Sequence, residues 1–214
     1  MAVRVVFGST GLRVSPVCYG TWQLSPRFWG DQPRSEILRA MHTALDAGVN
    51  FFDTADAYGD GLGETVLGEF LAGVRREDVV VCTKVFNHFK PDGLRYPDLS
   101  AEHVRQRCDI ELKRLGIDTI DIYLLHLVDV LTPMREVTGV LEELCRQGKI
   151  RHYGVSNYGV EHLRALRQLG RYEVSQPPYS LLDTASEKDL PFCEAENIGV
   201  MVYSPLHKGL LTGK

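Results

Sequence analysis

The chain has 214 residues, of which 44% are hydrophobic and 24% charged, and it carries 24 basic against 28 acidic side chains. This composition is typical of a globular protein with one sizeable core, and its slight negative charge gives no electrostatic reason to expect a nucleic-acid partner. The sequence contains no apolar run near the roughly 20 residues that span a bilayer and no signal-peptide pattern, so we expect a cytoplasmic protein without a membrane partner.

A short hairpin is predicted first, followed by a regular alternation of strands and helices. Two apolar runs flank Gly8-Ser9-Thr10-Gly11, which indicates a hairpin over residues 3–14. Short β-rich runs then alternate with stretches of helical spacing. The predicted strands are residues 17–20, 49–52, 79–83, 120–125, 150–155, 172–175 and 200–203. Such alternation indicates parallel strands covered by helices, and because no linker divides the chain we predict a single domain over residues 1–214.

The predicted helices carry end signals in the sequence. Thr132 followed by Pro133 predicts an N-cap and a first helical residue, and Ser186 with Asp189 resembles a capping box. A glycine follows each of five predicted helices, a position where a left-handed residue commonly ends a helix. These glycines are Gly48, Gly73, Gly116, Gly148 and Gly170. Each helix is therefore predicted to end before the next strand begins.

A barrel fits this pattern better than an open sheet does. An open dinucleotide-binding sheet usually carries G-x-G-x-x-G after its first strand, whereas the first strand here runs into Gly20-Thr21-Trp22-Gln23. Barrel enzymes instead build their sites at the C-terminal ends of the strands. We therefore expect an α/β fold, a (β/α)8 TIM barrel with an N-terminal β-hairpin, in which about seven of the eight strands are present.

Polar or functional side chains end or follow all seven predicted strands. They are Thr21 with Trp22, Asp53, Lys84, His126, Ser156 with Asn157, Gln176, and Tyr203 with Ser204. One such residue would be weak evidence, because polar residues at strand ends often serve turns or helix caps. In a barrel, however, all these strand ends converge on one mouth, so together they predict one site.

The chemistry of this group favours proton donation by a tyrosine. The group contains no serine or cysteine paired with a base, so acyl transfer has no obvious nucleophile. Lys84 near a carboxylate could form a Schiff base, as in barrel aldolases, but Tyr58 at the same mouth suggests another role. An ammonium group beside a phenol lowers its pKa, and a carboxylate such as Asp53 holds that ammonium in place. Such a tyrosine can protonate a carbonyl oxygen while a cofactor delivers hydride to the carbon.

Several motifs resemble those of the aldo-keto reductase family. Residues 51–59 (FFDTADAYG) resemble F-x-D-T-A-x-x-Y-G, and residues 82–85 (CTKV) resemble the T-K strand end. Residues 124–126 (LLH) resemble L-L-H, and residues 154–158 (GVSNY) resemble G-V-S-N-[FY]. Residues 203–214 (YSPLHKGLLTGK) are similar to Y-S-P-L-x-x-G-L-L-T-G-K. The motifs occur in the family's order and extend from residue 20 to the end of the chain.

The resemblance implies an oxidoreductase that transfers hydride from NADPH to the carbonyl of an aldehyde or ketone. By this resemblance Tyr58 is the general acid, Lys84 lowers its pKa and Asp53 pairs with Lys84. His126 orients the carbonyl and could share in the proton transfer. The implied partner is thus a small-molecule carbonyl compound.

The resemblance also assigns residues to the cofactor. Ser156, Asn157 and Gln176 would hydrogen-bond the nicotinamide carboxamide, and Tyr203 would stack on the ring. The other residues assigned to the cofactor or its pocket are Thr21, Trp22, Asp53, Ser204, Leu206 and Gly209. No metal ligand is expected.

The chain is expected to be truncated relative to the family. A complete barrel of this type needs about 250 residues and eight strand-helix units, whereas this chain ends after its seventh predicted strand. The absent part would hold the adenine end and its 2′-phosphate, so the preference for NADPH is implied by the resemblance alone. An open barrel has two unpaired edges, which predicts a chain that is unstable or dependent on a partner.

Three other interpretations compete with a reductase. The chain could be a cofactor-binding regulatory subunit, similar to the channel-associated β subunits that share this fold, or it could be an inactive fragment. A metal-dependent hydrolase could use Asp53 and His126 as ligands, but no second histidine stands at a matching strand end, and Lys84 would repel the ion. The sequence does not indicate the oligomeric state.

Overall fold

A computed structural model describes residues 3–89 and 95–213 of the chain. The strands among these residues are β1 (Val5–Val6), β2 (Arg13–Val14), β3 (Cys18–Gly20), β4 (Phe51–Asp53), β5 (Val80–Val85), β6 (Asn87–Phe89), β7 (Arg95–Pro97), β8 (Ile120–Leu125), β9 (Ile150–Ser156), β10 (Val174–Gln176) and β11 (Gly199–Val200). The α-helices are α1 (Pro26–Trp29), α2 (Arg34–Asp46), α3 (Leu62–Leu71), α4 (Ala101–Leu115), α5 (Met134–Arg146), α6 (Val160–Arg167) and α7 (Leu190–Ala195).

Seven of the strands form one parallel sheet whose order is β11-β10-β9-β8-β5-β4-β3. Every neighbouring pair in it is parallel. Apart from the separate antiparallel ribbon of β6 and β7, the strands follow one another in chain order with helices between them, as they do in a barrel wall. This confirms the predicted α/β fold, a curled seven-stranded part of a (β/α)8 barrel with β3 and β11 as its edge strands. The single-domain organisation stays a prediction.

Alternate residues of the central strands face opposite sides of the sheet, because the side-chain period of a strand is two. On β5, Val80 and Cys82 belong to the cluster inside the barrel, whereas Val81 belongs to the cluster between sheet and helices. Lys84 has the parity of Val80 and Cys82, so its side chain enters the barrel interior. Thr83 faces the helices instead, and both side chains are fully buried.

The N-terminal hairpin packs against the end of the barrel at which the strands begin. β1 and β2 pair in antiparallel fashion, as predicted. The Phe7 ring meets the Phe51 ring edge-on, with 5.4 Å between centroids, and Ser9 N donates to Asn197 O at 2.7 Å. A Cβ atom on Gly199 would lie 2.9 Å from the Phe7 ring, so only glycine leaves room for this contact. The opposite end of the barrel carries the predicted site.

Most predicted strands are confirmed, and the last one is shifted. The run 120–125 coincides with β8, whereas β4, β5 and β10 begin one or two residues later than predicted. The bounds 200–203 are wrong, since β11 ends at Val200 and Tyr203 joins the sheet by a single parallel bridge to Pro178. The sequence did not predict α1 or the β6–β7 ribbon, because Asn87 and Pro97 are poor strand formers.

Two of the predicted helix caps are wrong. The N-cap of α5 is Pro133, one residue after the predicted position, because the Thr132 hydroxyl donates to Asp129 Oδ2 at 2.6 Å. The capping box at residues 186–189 is absent, since these residues lie in a 3₁₀ turn without a side-chain cap. Asp189 Oδ1 instead accepts a hydrogen bond of 3.2 Å from Val160 N, the first residue of α6. The carboxylate therefore caps a helix that precedes it in the sequence.

The predicted left-handed glycines are confirmed at three of five positions. Gly48, Gly116 and Gly148 have φ angles of 97°, 64° and 74°. Gly73 and Gly170 do not adopt positive φ. At Gly170 the reason for glycine is space, because a Cβ atom there would lie 2.4 Å from the Tyr153 hydroxyl.

Candidate active site

Lys84 and Asp53 form a buried ion pair inside the barrel. Lys84 Nζ lies 2.8 Å and 2.7 Å from the two carboxylate oxygens of Asp53, and it donates to Thr54 O at 2.8 Å. Burial by itself would lower the pKa of Lys84, but Asp53 and Tyr58 raise it, and the net shift is upward. The ammonium group is therefore a fixed positive charge whose direction is set by the carboxylate and a backbone carbonyl.

Tyr58 lies beside this ammonium group on the segment that joins β4 to α3. Lys84 Nζ donates to Tyr58 Oη at 3.1 Å and lies 4.7 Å from the ring centroid. Burial raises the pKa of Tyr58 to about 12, while the charge of Lys84 acts in the opposite direction without offsetting the effect of burial. The hydroxyl thus keeps its proton at neutral pH, and a phenolate formed there would face a positive charge.

His126 follows β8 and faces Tyr58. Its amide donates to Val85 O at 3.0 Å, and its ring lies 6.0 Å from the Tyr58 ring at an interplanar angle of 79°. Burial and the charge of Lys84 lower the pKa of His126 to about 3, so the imidazole is neutral across the physiological range. A neutral imidazole can donate one hydrogen bond and accept one.

A chain of hydrogen bonds connects Asp53 with the predicted carboxamide contacts. Gln176 Nε2 donates to Asp53 Oδ1 at 3.0 Å, and Ser156 Oγ donates to Gln176 O at 2.9 Å. Asn157 Nδ2 donates to Ser156 Oγ at 3.0 Å, and Tyr203 Oη donates to Asn157 Oδ1 at 2.7 Å. The residues predicted from four different strand ends therefore lie together at one mouth.

The segment predicted to contact the pyrophosphate has an unusual backbone. Residues with positive φ angles in it are Ser204 (56°), His207 (46°), Lys208 (55°) and Gly209 (97°). Leu206 O accepts hydrogen bonds from Gly209 N at 3.0 Å and from Leu211 N at 3.2 Å, which curls the segment. Alternation of right- and left-handed residues creates concave groups of N–H donors that bind anions. The predicted residues Ser204, Leu206 and Gly209 all lie on this segment.

Thr21 and Trp22 lie at the same mouth, after β3. Thr21 N donates to Asp53 O at 2.9 Å, and a Cβ atom on Gly63 would lie 3.1 Å from both Thr21 Oγ1 and Tyr58 Cβ. The start of α3 can approach these residues only because Gly63 has no side chain. The Trp22 ring meets the Trp29 ring edge-on, 5.4 Å between centroids, so Trp22 belongs to an aromatic group beside the site.

The structure adds one group that sequence reasoning missed. Thr54 O accepts a hydrogen bond from Lys84 Nζ. It is a main-chain oxygen, and the identity of a residue gives no signal for such a contact.

Neither of two cavities in the structure is lined by the four predicted catalytic residues. One, of about 1170 Å³, lies at the opposite end of the barrel and is lined by residues such as Asn50, Arg76 and Asp121. The other, of about 280 Å³, includes Tyr203 and Ser204. The candidate site is thus defined by its hydrogen bonds and not by either of these cavities.

Residues 3–89 and 95–213 contain neither a metal-binding cluster nor a membrane-spanning helix. No three or more His, Cys, Asp or Glu side chains there are grouped so that they could hold a metal ion. The same residues contain no helix with the length and apolar character needed to cross a membrane. Both oxygens of Asp53, the ligand that a hydrolase would need, accept hydrogen bonds from Lys84.

Comparison with known proteins points to one family. Residues 16–214 match the aldo/keto reductase family. The NADH-specific methylglyoxal reductase of Escherichia coli (strain K12) is 38% identical over 226 residues, which cover 98% of this chain and 69% of that protein. The holo form of aldo-keto reductase AKR11C1 from Bacillus halodurans superimposes with a TM-score of 0.89 at 30% identity, covering 99% of this chain and 69% of that one.

A further solved structure contains a cofactor. It is the aldo/keto reductase from Klebsiella pneumoniae in complex with NADP and acetate, with a TM-score of 0.82 and 32% identity over 99% of this chain and 71% of that one. Three curated relatives are matched over 62% to 69% of their own length. The family match over almost the whole chain, the seven-stranded parallel sheet and the resemblance of its motifs agree, and the chain belongs to the aldo/keto reductase family.

Proposed function

We propose that this chain reduces the carbonyl of an aldehyde or ketone to an alcohol with a reduced nicotinamide dinucleotide, and that Tyr58 is the general acid. The observation that carries the proposal is the line of hydrogen bonds from Asp53 through Lys84 to Tyr58, with 3.1 Å between Lys84 Nζ and Tyr58 Oη. A tyrosine so placed has a counter-charge ready for the phenolate it becomes after proton donation.

The residues at the mouth fit the nicotinamide half of such a cofactor. When bound, the nicotinamide ring supplies the hydride. The amide groups of Asn157 and Gln176 and the hydroxyl of Ser156 offer both donors and acceptors, which is what the carboxamide needs. Tyr203 is 37% exposed and can present its ring face to a flat heterocycle.

The proton comes from Tyr58 and not from His126. As hydride reaches the carbonyl carbon, the oxygen gains negative charge and takes the proton of Tyr58 Oη. Lys84 stabilises the phenolate that remains. His126 has a lowered pKa and carries no second proton, so it donates a hydrogen bond to the carbonyl oxygen and fixes its orientation.

The finer cofactor preference is also a proposal. The resemblance implied NADPH, while the E. coli relative is named NADH-specific and the Klebsiella structure contains NADP. The contacts described above would serve the nicotinamide half, which is the same in both dinucleotides. We expect turnover with NADPH, and turnover with NADH alone would overturn this preference.

The experiment follows cofactor oxidation by absorbance with a panel of aromatic aldehydes. Tyr58→Phe should abolish turnover and leave cofactor binding, measured by fluorescence, nearly intact. The matched control is Tyr172→Phe, which removes a hydroxyl bonded to Thr138 Oγ1 and should keep its activity. Cofactor binding without turnover in the wild type would favour a regulatory subunit, and retained turnover in Tyr58→Phe would refute the mechanism.

A further inference from the structure

A second group of buried charges lies behind Lys84, between the sheet and helices α3 and α4. It contains three carboxylates, Asp56, Glu64 and Glu111, each with 0% exposure. Two guanidinium groups face them, those of Arg107 and Arg114. Arg107, Glu111 and Arg114 stand four and three residues apart on α4, so they share one face of that helix. We call these five residues the rear charge cluster.

The contacts in the rear charge cluster divide between the two arginines. Arg107 Nε lies 3.7 Å from Asp56 Oδ2 and 3.8 Å from Glu111 Oε1. Arg114 Nη1 lies 2.9 Å from Glu64 Oε2. Arg107 is therefore the cation that stands between Asp56 and Glu111, while Arg114 serves Glu64.

The charges of the rear charge cluster do not balance, since three carboxylates face two guanidinium groups. Burial raises the pKa of Asp56 to about 7, with Arg107 acting in the opposite direction. Burial and the neighbouring carboxylates also hold the pKa of Glu111 well above its ordinary value. Removal of Arg107 would leave Asp56 and Glu111 in a buried space without their shared cation, which is a costly arrangement.

Asp56 connects the rear charge cluster to the candidate site. It lies two residues before Tyr58 on the segment 54–58, between β4 and α3. The main chain of this segment is tied to Lys84 twice, because Asp56 N donates to Lys84 O at 3.2 Å and Thr54 O accepts from Lys84 Nζ at 2.8 Å. The Asp56 side chain anchors the same segment from the rear, so a movement of Asp56 carries Tyr58 with it.

We infer that Arg107 is a positioning residue for Tyr58: by pairing with Asp56 it holds residues 54–58 against Lys84 and keeps Tyr58 Oη within hydrogen-bond distance of Lys84 Nζ. The inference rests on the proposed function of Tyr58. Arg107 does not touch the reacting atoms, and it acts through the segment that carries them. A misplacement of about 1 Å at a reacting group can cost about a hundredfold in rate.

The test compares Arg107→Met, the double variant Arg107→Met/Asp56→Asn and the control Arg76→Met. Arg76 pairs with the buried Asp121 at 2.6 Å at the far end of the barrel, so its loss removes one cation from a buried carboxylate without touching the site, and Arg151 remains 2.9 Å from that carboxylate. We expect Arg107→Met to lose about tenfold to a hundredfold in kcat, with the cofactor Kd within about twofold. The double variant should recover part of kcat, because Asp56, which carries the segment of Tyr58, is then neutral and only Glu111 is left without its cation.

The pH dependence of kcat separates positioning from a loss of stability. If Tyr58 moves away from Lys84 in Arg107→Met, its phenolate loses stabilisation, and the pKa that reports Tyr58 in the kcat profile should rise. Arg76→Met should lower Tm without moving this pKa. An Arg107→Met variant that keeps kcat within about twofold, or a double variant that recovers nothing, would overturn the inference.

A conservative variant keeps the test decisive if Arg107→Met does not fold. Arg107→Lys retains the charge with a shorter reach, and we expect a reduced kcat with an unchanged cofactor Kd. A wild-type kcat in Arg107→Lys would overturn the inference. Failure of the proposed function looks different, because the wild type would then show no turnover or Tyr58→Phe would retain it.

Discussion

Replacement of Lys84 by methionine tests the central electrostatic contact of the site. Lys84 Nζ lies 3.1 Å from Tyr58 Oη. At an effective dielectric constant of about 20, two unit charges at this distance attract each other by about 5 kcal/mol. If the phenolate is between half and fully formed in the transition state, the loss corresponds to about 10²- to 10⁴-fold in kcat.

The same substitution leaves a buried carboxylate without its cation, which has to be separated from the effect on Tyr58. Asp53 is 8% exposed and would keep the hydrogen bond from Gln176 while losing its cation. Breaking a buried pair in this way costs about 3–5 kcal/mol of folding free energy. The double variant Lys84→Met/Asp53→Asn removes this penalty, so its Tm should exceed that of Lys84→Met while its kcat stays low.

The assay is the rate of aldehyde-dependent cofactor oxidation at saturating cofactor, with Tm measured on the same samples. Lys149→Met is the matched control, since Lys149 pairs with Asp109 at the surface and should change neither quantity much. A folded double variant that keeps kcat within about tenfold of the wild type would show that Lys84 does not stabilise the phenolate.

Four further outcomes are expected. Tyr58→Phe should abolish turnover with cofactor binding retained, as set out above, and Arg107→Met should lose about tenfold to a hundredfold in kcat, with a smaller loss when Asp56 is neutralised with it. Asp56→Asn should remove a pH dependence of stability. The folded-state pKa of Asp56 is raised to about 7, so the folded state binds more protons than the unfolded state between about pH 4 and 7, and stability falls as pH rises through this window by up to about 4 kcal/mol. Unfolding of the wild type and Asp56→Asn at pH 5 and pH 8 measures this, and parallel curves would contradict it. Gln176→Leu should weaken cofactor binding by about fivefold to tenfold, the worth of about one hydrogen bond, and an unchanged Kd would remove Gln176 from the binding site.

The strand ends could be predicted from sequence because their signal is local. Asp53, Lys84 and His126 each follow a run of buried residues, and a barrel brings the C-terminal ends of such runs together. The order of strands in the sheet follows from the same alternation. These features depend on short stretches of chain, so no knowledge of distant contacts was needed.

The rear charge cluster could not be predicted because it depends on contacts between distant segments. Asp56 and Arg107 are separated by more than 50 residues, and charged residues on a helix usually face solvent. The hydrogen bond from Val160 N to Asp189 could not be predicted for the same reason, since it joins the start of α6 to a residue 29 positions later. Tertiary neighbours decide whether a charged side chain is buried and which helix a carboxylate caps. Neither hydrophobic periodicity nor local capping rules take these neighbours into account.

The hydrogen bond between Gln176 and Asp53 has a mechanical consequence. Strands β10 and β4 are separated by β9, β8 and β5 in the sheet order, and neighbouring strands lie about 4.8 Å apart. A flat sheet would place them roughly 19 Å apart at this spacing, yet Gln176 Nε2 reaches Asp53 Oδ1 at 3.0 Å. The bond is thus a chord across a bent arc of five strands. It connects Asp53, on the side of the arc near Tyr58, with Gln176, on the side that carries the amide side chains. The two sides should therefore move together when the sheet is deformed.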